Sequence, residues 1–141
     1  MSITKIENKV MKGAIYFVRM PEQKSTEQHS CEYGHRPVVV VSSNVGNRTA
    51  DIVMVCPITT KIKELSCNVR IGWTSAGKPS QVLCNQIVTV PKSELTDRRG
   101  YVTLDEQRRI DIAMCISLGI NVDYNEVGNY DSKRKYVKRS V

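Results

Sequence analysis

Two polar residues stand where one apolar run begins, and two more stand where the next one ends. The stretch "EYGHRPVVVVSSN" sets His35 and Arg36 before Pro37 and four valines, and "VMVCPITT" closes on Thr59 and Thr60. An arginine beside hydroxyls makes a phosphate site, because guanidinium offers a planar donor fork to two oxygens while threonine adds a neutral donor. Pro37 lacks an N–H and restricts the residue before it to extended geometry, which limits where Arg36 can point. The same arginine also reads as the partner of a carboxylate at a strand end, since such ion pairs are common and Arg-Pro is a weak signal. His35 has the side chain that titrates nearest neutrality. Strand alternation turns it to the face opposite Arg36, however, so it reads as a flanking contact rather than the base.

Other chemistries lack the residues they need. There is no G-x-G-x-x-G or Walker loop, no pair of histidines at metal spacing and no G-x-S-x-G elbow, so neither a metal nor a cofactor is implied. Cys31, Cys56, Cys67, Cys84 and Cys115 are odd in number and scattered, without a C-x-x-C pair. They read as reduced thiols of a cytosolic protein, with Cys56, Cys84 and Cys115 lying in apolar runs as small buried hydrophobes. The formal charge of +7 and pI near 9.3 favour a polyanionic partner such as nucleic acid. Part of that excess lies in "SKRKYVKRS" near the C-terminus, which suits either added nonspecific RNA affinity or a solubilising extension.

The elements that must carry Arg36 and Thr59 are mostly strands. "GAIYFVRM", "RPVVVVSS" and "DIVMVCPIT" are rich in branched and aromatic residues, and the last two are too continuous for surface strands, which makes them central. "NVGNRTA" between them reads as a longish turn of an antiparallel hairpin. "CNVRIGW" and "QVLCNQIVTV" follow as strands separated by "TSAGKPS", and "KSEL" as a short helical turn. "TLDEQRRIDIAMCISLGI" predicts an amphipathic helix, with Leu104, Ile110, Ile112, Ala113, Ile116 and Leu118 largely on one side, Thr103 before an acidic first turn and Gly119 at the stop. The expected architecture is mainly β with a C-terminal α-helix, a small antiparallel barrel or strongly curved sheet whose remaining edges favour pairing with a second copy. No apolar run approaches the roughly 20 residues of a membrane span, and no secretory signal is visible, so the chain reads as soluble and cytoplasmic. In a hairpin of this kind the start of one strand lies beside the end of the next. Arg36 and the threonines then meet at one rim.

Several segments, in the same order, resemble the MazF/PemK family of mRNA interferases, the toxins of bacterial toxin–antitoxin pairs. They are "KGAIYFVRM", "GHRPVVVVSSNVGN", "VMVCPITTKIK", "VLCNQIVTV" and "LTDRRGYVTLDEQRRIDIAMCISLGI". The resemblance divides the chain into a lead-in at 1–11, a domain at 12–120 and a basic tail at 121–141. It implies a barrel of the PemK/CcdB type that forms a homodimer, cleaves single-stranded RNA without metal, and is neutralised by an acidic antitoxin. It also implies Arg36 and Thr59 as the catalytic pair, with Gln86 looking toward the RNA and Asn85 beside it. His35, Thr60 and Lys61 join the RNA-binding set at the rim, as do Glu27 and Gln28 in the loop before it. That loop, "STEQHSCEYGHRP", carries an insertion relative to the family, so either Glu27 or Glu32 fits the acidic position. Ala14 stands where members often have Asp, and Leu83 and Asn85 stand where the Kid branch uses Arg and Asp. Trp73 reads as packing at a strand end. A non-catalytic barrel that binds a protein partner, as CcdB does, or nucleic acid is the alternative.

Overall fold

The computed structural model describes residues 9–20 and 34–121. They form seven strands and two α-helices. The strands are β1 (Ala14–Met20), β2 (Gly34–Val40), β3 (Ile52–Thr59), β4 (Asn68–Ser75), β5 (Lys78–Leu83), β6 (Val88–Pro91) and β7 (Arg98–Tyr101). The helices are α1 (Asn44–Thr49) and α2 (Leu104–Leu118), and a 3-10 turn, Lys92–Glu94, follows β6. All pairings are antiparallel, in the order β4-β5-β3-β2-β1-β7, with β6 also on β3. The two valine-rich runs are central, as their continuous apolar character requires.

Alternation along these strands makes two apolar layers. Ile15, Val39, Cys56, Ile58, Val69, Ile71 and Val82 face one side, where Ile110 and Ala113 of α2 close over them. Ala14, Tyr16, Val18, Val38, Val40, Val53 and Val55 face the other, with Val10 and Val90 buried among them and Leu95 packed against them. The sheet curls around the first layer until its two edges approach. Trp73 of β4 donates its indole N–H to the Arg99 carbonyl of β7 at 3.3 Å, and its ring lies against Gly100. A side-chain seam therefore takes the place of a backbone ladder in drawing the edges together, and Trp73 packs as expected.

Three local expectations need correction. The "NVGNRTA" segment is the short helix α1 rather than an irregular turn, because Ser43 caps it through Gly46 N–H at 3.3 Å and buried Asn47 bonds the Ser42 carbonyl at 3.0 Å. "QVLCNQIVTV" is two strands, since Cys84–Ile87 leave the edge of β3 in a turn closed by Gln86 N–H to the Leu83 carbonyl at 3.2 Å. The apolar stripe of α2 is buried only in part: Ile110 and Ala113 are covered, whereas Leu104, Ile116 and Leu118 are exposed. The helix ends behave as read. Thr103 and Glu106 form a reciprocal capping box, and Gly119 takes the left-handed conformation at φ 70°. Glu106 also accepts Gly72 N–H at 2.7 Å, which ties the first turn of α2 to β4. The strand β7 escaped the sequence reading altogether, since "RRGY" has neither length nor alternation.

Two outcomes are expected. A Cβ at Gly100 would meet Trp73 Cδ1 at 3.1 Å on a backbone with φ +154°. Gly100→Ala should therefore lower stability by about 1–3 kcal/mol, seen as a lower urea midpoint with unchanged slope. Cys56 and Cys84 are both fully buried, and the Cys84 thiol is pushed well up by its hydrogen bond with Cys56 and by burial. Because the thiolate is the nucleophile, iodoacetamide at pH 8 should label neither cysteine in the native protein and both in urea, as peptide mass mapping would show.

Candidate active site

β3 is the element that assembles the rim. Its first half pairs with β6 on one edge, from Ile52↔Pro91 to Val55↔Val88, and its last residues pair on that edge with β5, as Ile58↔Val82 and Thr59↔Gln81. On the opposite edge it pairs with β2 through Val40↔Val55, Val39↔Cys56 and Val38↔Pro57. Carried two residues further, this register sets Arg36 opposite Thr59. Both then face the side of Val38, Val40 and Val55, because side chains directly across an antiparallel pair share a face. Pro37 lacks the N–H that would point toward β3, and the β2–β3 ladder ends at Val38↔Pro57; Pro57 lacks its N–H on the other edge, between the β6 and β5 pairings. The first residues of β2 and the last residues of β3 thus stand beyond their mutual pairing, with Arg36 and Thr60 exposed there.

Arg36 is exposed and lies directly opposite fully buried Val18 of β1. Thr59 is buried, and its Oγ1 accepts Lys61 N–H at 3.1 Å. That contact occupies a lone pair and leaves the hydroxyl hydrogen available for donation elsewhere. Thr60 and Lys61 are both exposed on the turn that leaves β3. Asn85 is exposed and Gln86 half-buried, on the Cys84–Ile87 excursion that interrupts the β5–β6 edge of β3 beside Cys56 and Pro57. The excursion therefore leaves the edge of β3 at Cys56 and Pro57, two residues before Thr59 and its turn.

His35 lies opposite Arg19, and its ring stands 5.6 Å from that of Phe17. The Arg99 guanidinium covers Phe17 from 4.9 Å. This is the face away from Arg36, as alternation requires. Glu27, Gln28 and Glu32 lie outside the described residues, as do Cys31 and nearly all of the basic tail.

One residue at this site was missing from the sequence reading. Gln81, in the middle of the apolar stretch "SQVLC", lies directly opposite Thr59 and is 1% exposed. Its side-chain amide makes two bonds with the backbone of Lys63. A polar side chain inside an apolar run was the available signal, but nothing local shows which loop it reaches.

The family model of the PemK-like, MazF-like toxins of type II toxin–antitoxin systems matches residues 11–118. The chain belongs to that family. Endoribonuclease EndoA of Bacillus subtilis (strain 168) is 31% identical to it over 115 residues, covering 79% of this chain and 96% of EndoA. An endoribonuclease solved in complex with its cognate antitoxin, from a mycobacterial species, superposes with TM-score 0.64 at 26% identity, covering 78% of this chain and 95% of the other. MazF from Deinococcus radiodurans shares the fold at TM-score 0.65 and 18% identity, over 79% and 97% of the two chains. The PemK/MazF fold thus accounts for nearly the whole described chain. The curled sheet with its C-terminal helix is the architecture expected from the strand pattern.

Proposed function

We infer that this PemK/MazF family member is a metal-independent endoribonuclease whose Arg36 and Thr59 act together on the scissile phosphate of single-stranded RNA. The observation that supports the reading is the β2–β3 register, which, extended two residues past its last pair Val38↔Pro57, would bring exposed Arg36 level with buried Thr59. Cleavage of this kind uses the ribose 2′-hydroxyl as nucleophile on the adjacent phosphorus. The P–O bond to the 5′-oxygen breaks, leaving a 2′,3′-cyclic phosphate and a 5′-hydroxyl. The site must remove a proton from the nucleophile, hold the charge that gathers on the non-bridging oxygens, and protonate the leaving oxygen.

Arg36 is suited to the charge, since its planar fork matches two phosphoryl oxygens. A guanidinium keeps its proton and serves as a fixed cation more readily than as a base. Thr59, with Lys61 N–H behind its oxygen, donates its hydroxyl hydrogen to a phosphoryl oxygen. Thr60 and Lys61 contact the chain leaving the site, and Asn85 and Gln86 offer amide edges to an unstacked base. Glu27 and Gln28 precede β2 in the sequence, and their contribution is to RNA binding. His35, on the other face, contacts RNA outside the reacting centre.

Two partners follow. Ile52 and Met54 of β3 and Ile116, Leu118 and Ile120 at the end of α2 leave large apolar side chains exposed, which a second copy of the chain would cover in a homodimer. A net charge of +7 favours an acidic antitoxin segment that competes with RNA, and a relative of this chain has been solved with its cognate antitoxin. Among the described residues no helix is long and apolar enough to cross a membrane. We place the activity in the cytoplasm, where mRNA is found.

Purified protein should cleave mixed-sequence RNA in excess EDTA and leave 5′-hydroxyl ends. Intact RNA with a correctly folded protein would instead assign the chain as a binding module. Arg36→Ala should slow cleavage by about 10³-fold or more, by analogy with arginines at phosphoryl transition states, and Thr59→Ala by about 10²–10³-fold. Both variants should elute as the wild type does in size-exclusion chromatography. His35→Ala should cost less than about tenfold, and a loss equal to that of Arg36→Ala would move the base onto the histidine.

A further inference from the structure

A glutamine amide enclosed in an apolar strand needs partners for its donors and its acceptor. Gln81 finds them in one residue outside its strand. Its Nε2–H donates to the Lys63 carbonyl at 2.8 Å, and its Oε1 accepts Lys63 N–H at 2.9 Å. Together these imitate the paired bonds that a neighbouring strand would give residue 63. Asn68 of β4 supports the arrangement, with Nδ2 at 3.3 Å from both Gln81 Oε1 and the Lys63 carbonyl. At the near end of the same turn Lys61 N–H donates to Thr59 Oγ1. Residues 59–63 are therefore held at two points, by Thr59 and by Gln81, and these two are cross-strand partners.

We propose that Gln81 is a positioning residue for RNA cleavage: by clamping the backbone of Lys63 it fixes the turn that presents the Thr59 hydroxyl to the phosphate. The proposal rests on the reading of Thr59 as a phosphate donor. Among the described residues the turn has no ladder partner after Thr59; without the clamp its path is set by Lys61 N–H on Thr59 Oγ1, by Leu65 N–H at 3.1 Å and Asn68 Nδ2 at 3.3 Å on the Lys63 carbonyl, and by the chain entering β4. Release of Lys63 frees Lys61, and with it the N–H that orients the Thr59 oxygen. The exposed side chains of Lys61 and Lys63 ride on the same segment, so the clamp also sets where two cations meet the RNA backbone. An apolar residue of similar size would satisfy packing in β5 equally well; the amide is needed for the turn.

The test uses an RNA oligonucleotide spanning a cleavage site mapped on mixed-sequence RNA. In Gln81→Leu, kcat should fall about 10–100-fold, the scale of a misplacement near 1 Å, while KM stays within about threefold. A Thr59→Ala/Gln81→Leu double variant should be no slower than Thr59→Ala alone, since Gln81 acts through that turn. Should Gln81→Leu fail to fold, two other measurements decide. Asn68→Ala should show a smaller loss of kcat in the same direction, and the Lys63 amide of the wild-type protein should exchange with solvent as slowly as the amides of β3. Unchanged kcat in a folded Gln81→Leu, multiplying losses in the double variant, unchanged kcat in Asn68→Ala, or fast exchange at Lys63 would each overturn the positioning role. If Thr59→Ala alone retains full activity, Thr59 leaves the mechanism and the role of Gln81 goes with it. An inactive Thr59→Ala beside an unimpaired, folded Gln81→Leu removes the positioning role only.

Discussion

The antiparallel register of β2 with β3 is the constraint on which the site depends. Side chains in a strand alternate with period two, so a slip of one residue would turn Arg36 to the far face and bring His35 into its place. Fully buried residues on both faces prevent that slip. Val38 and Val40 pack on one side with Val55, while Val39 packs on the other with Cys56, and each set fits only its own layer. The position of a single arginine is thus maintained by burial distributed over two strands, with no bond to Arg36 needed to set its face.

β3 serves three neighbours, and this sharing places polar residues around one end. Its edge toward β6 and β5 is interrupted by the Cys84–Ile87 excursion, which carries Asn85 and Gln86. Its edge toward β2 runs out after Val38↔Pro57, where Pro37 has no N–H to offer. Thr59 therefore stands at the point where the sheet stops pairing on one side and continues on the other. Such an arrangement, held on one edge and unpaired on the other, is what the proposed catalysis needs. The curl that brings β4 toward β7 through Trp73 and Gly100 belongs to the opposite face.

Elements with a strong local signal were legible. The valine runs are central strands, the Thr103 cap and Gly119 stop bound the helix, and Trp73 packs at a strand end. The misreadings share a cause. α1 exists because Ser43 caps it and buried Asn47 fastens it, the break at Cys84–Ile87 because β3 changes partner there, and β7 because the curled sheet supplies a neighbour for "RRGY". In each case a tertiary partner settled what propensity left open. The helix face was over-read for a related reason: periodicity marks Ile116 and Leu118 as apolar, but a single chain has nothing to lay over them.

By itself the sequence determined the residue types available for chemistry and the parity that separates Arg36 from His35, because alternation and proline stereochemistry are local properties. It also carried the ordered set of short segments that marks the family. Only the tertiary structure decided that Thr59 faces Gln81 across a strand pair, that Lys61 N–H holds the Thr59 oxygen, and that Gln81 and Asn68 fasten Lys63. These contacts join residues from three strands and a turn, and their formation depends on which edges meet when the sheet curls. No local pattern encodes that choice, since it is made by the packing of two apolar layers over the whole domain.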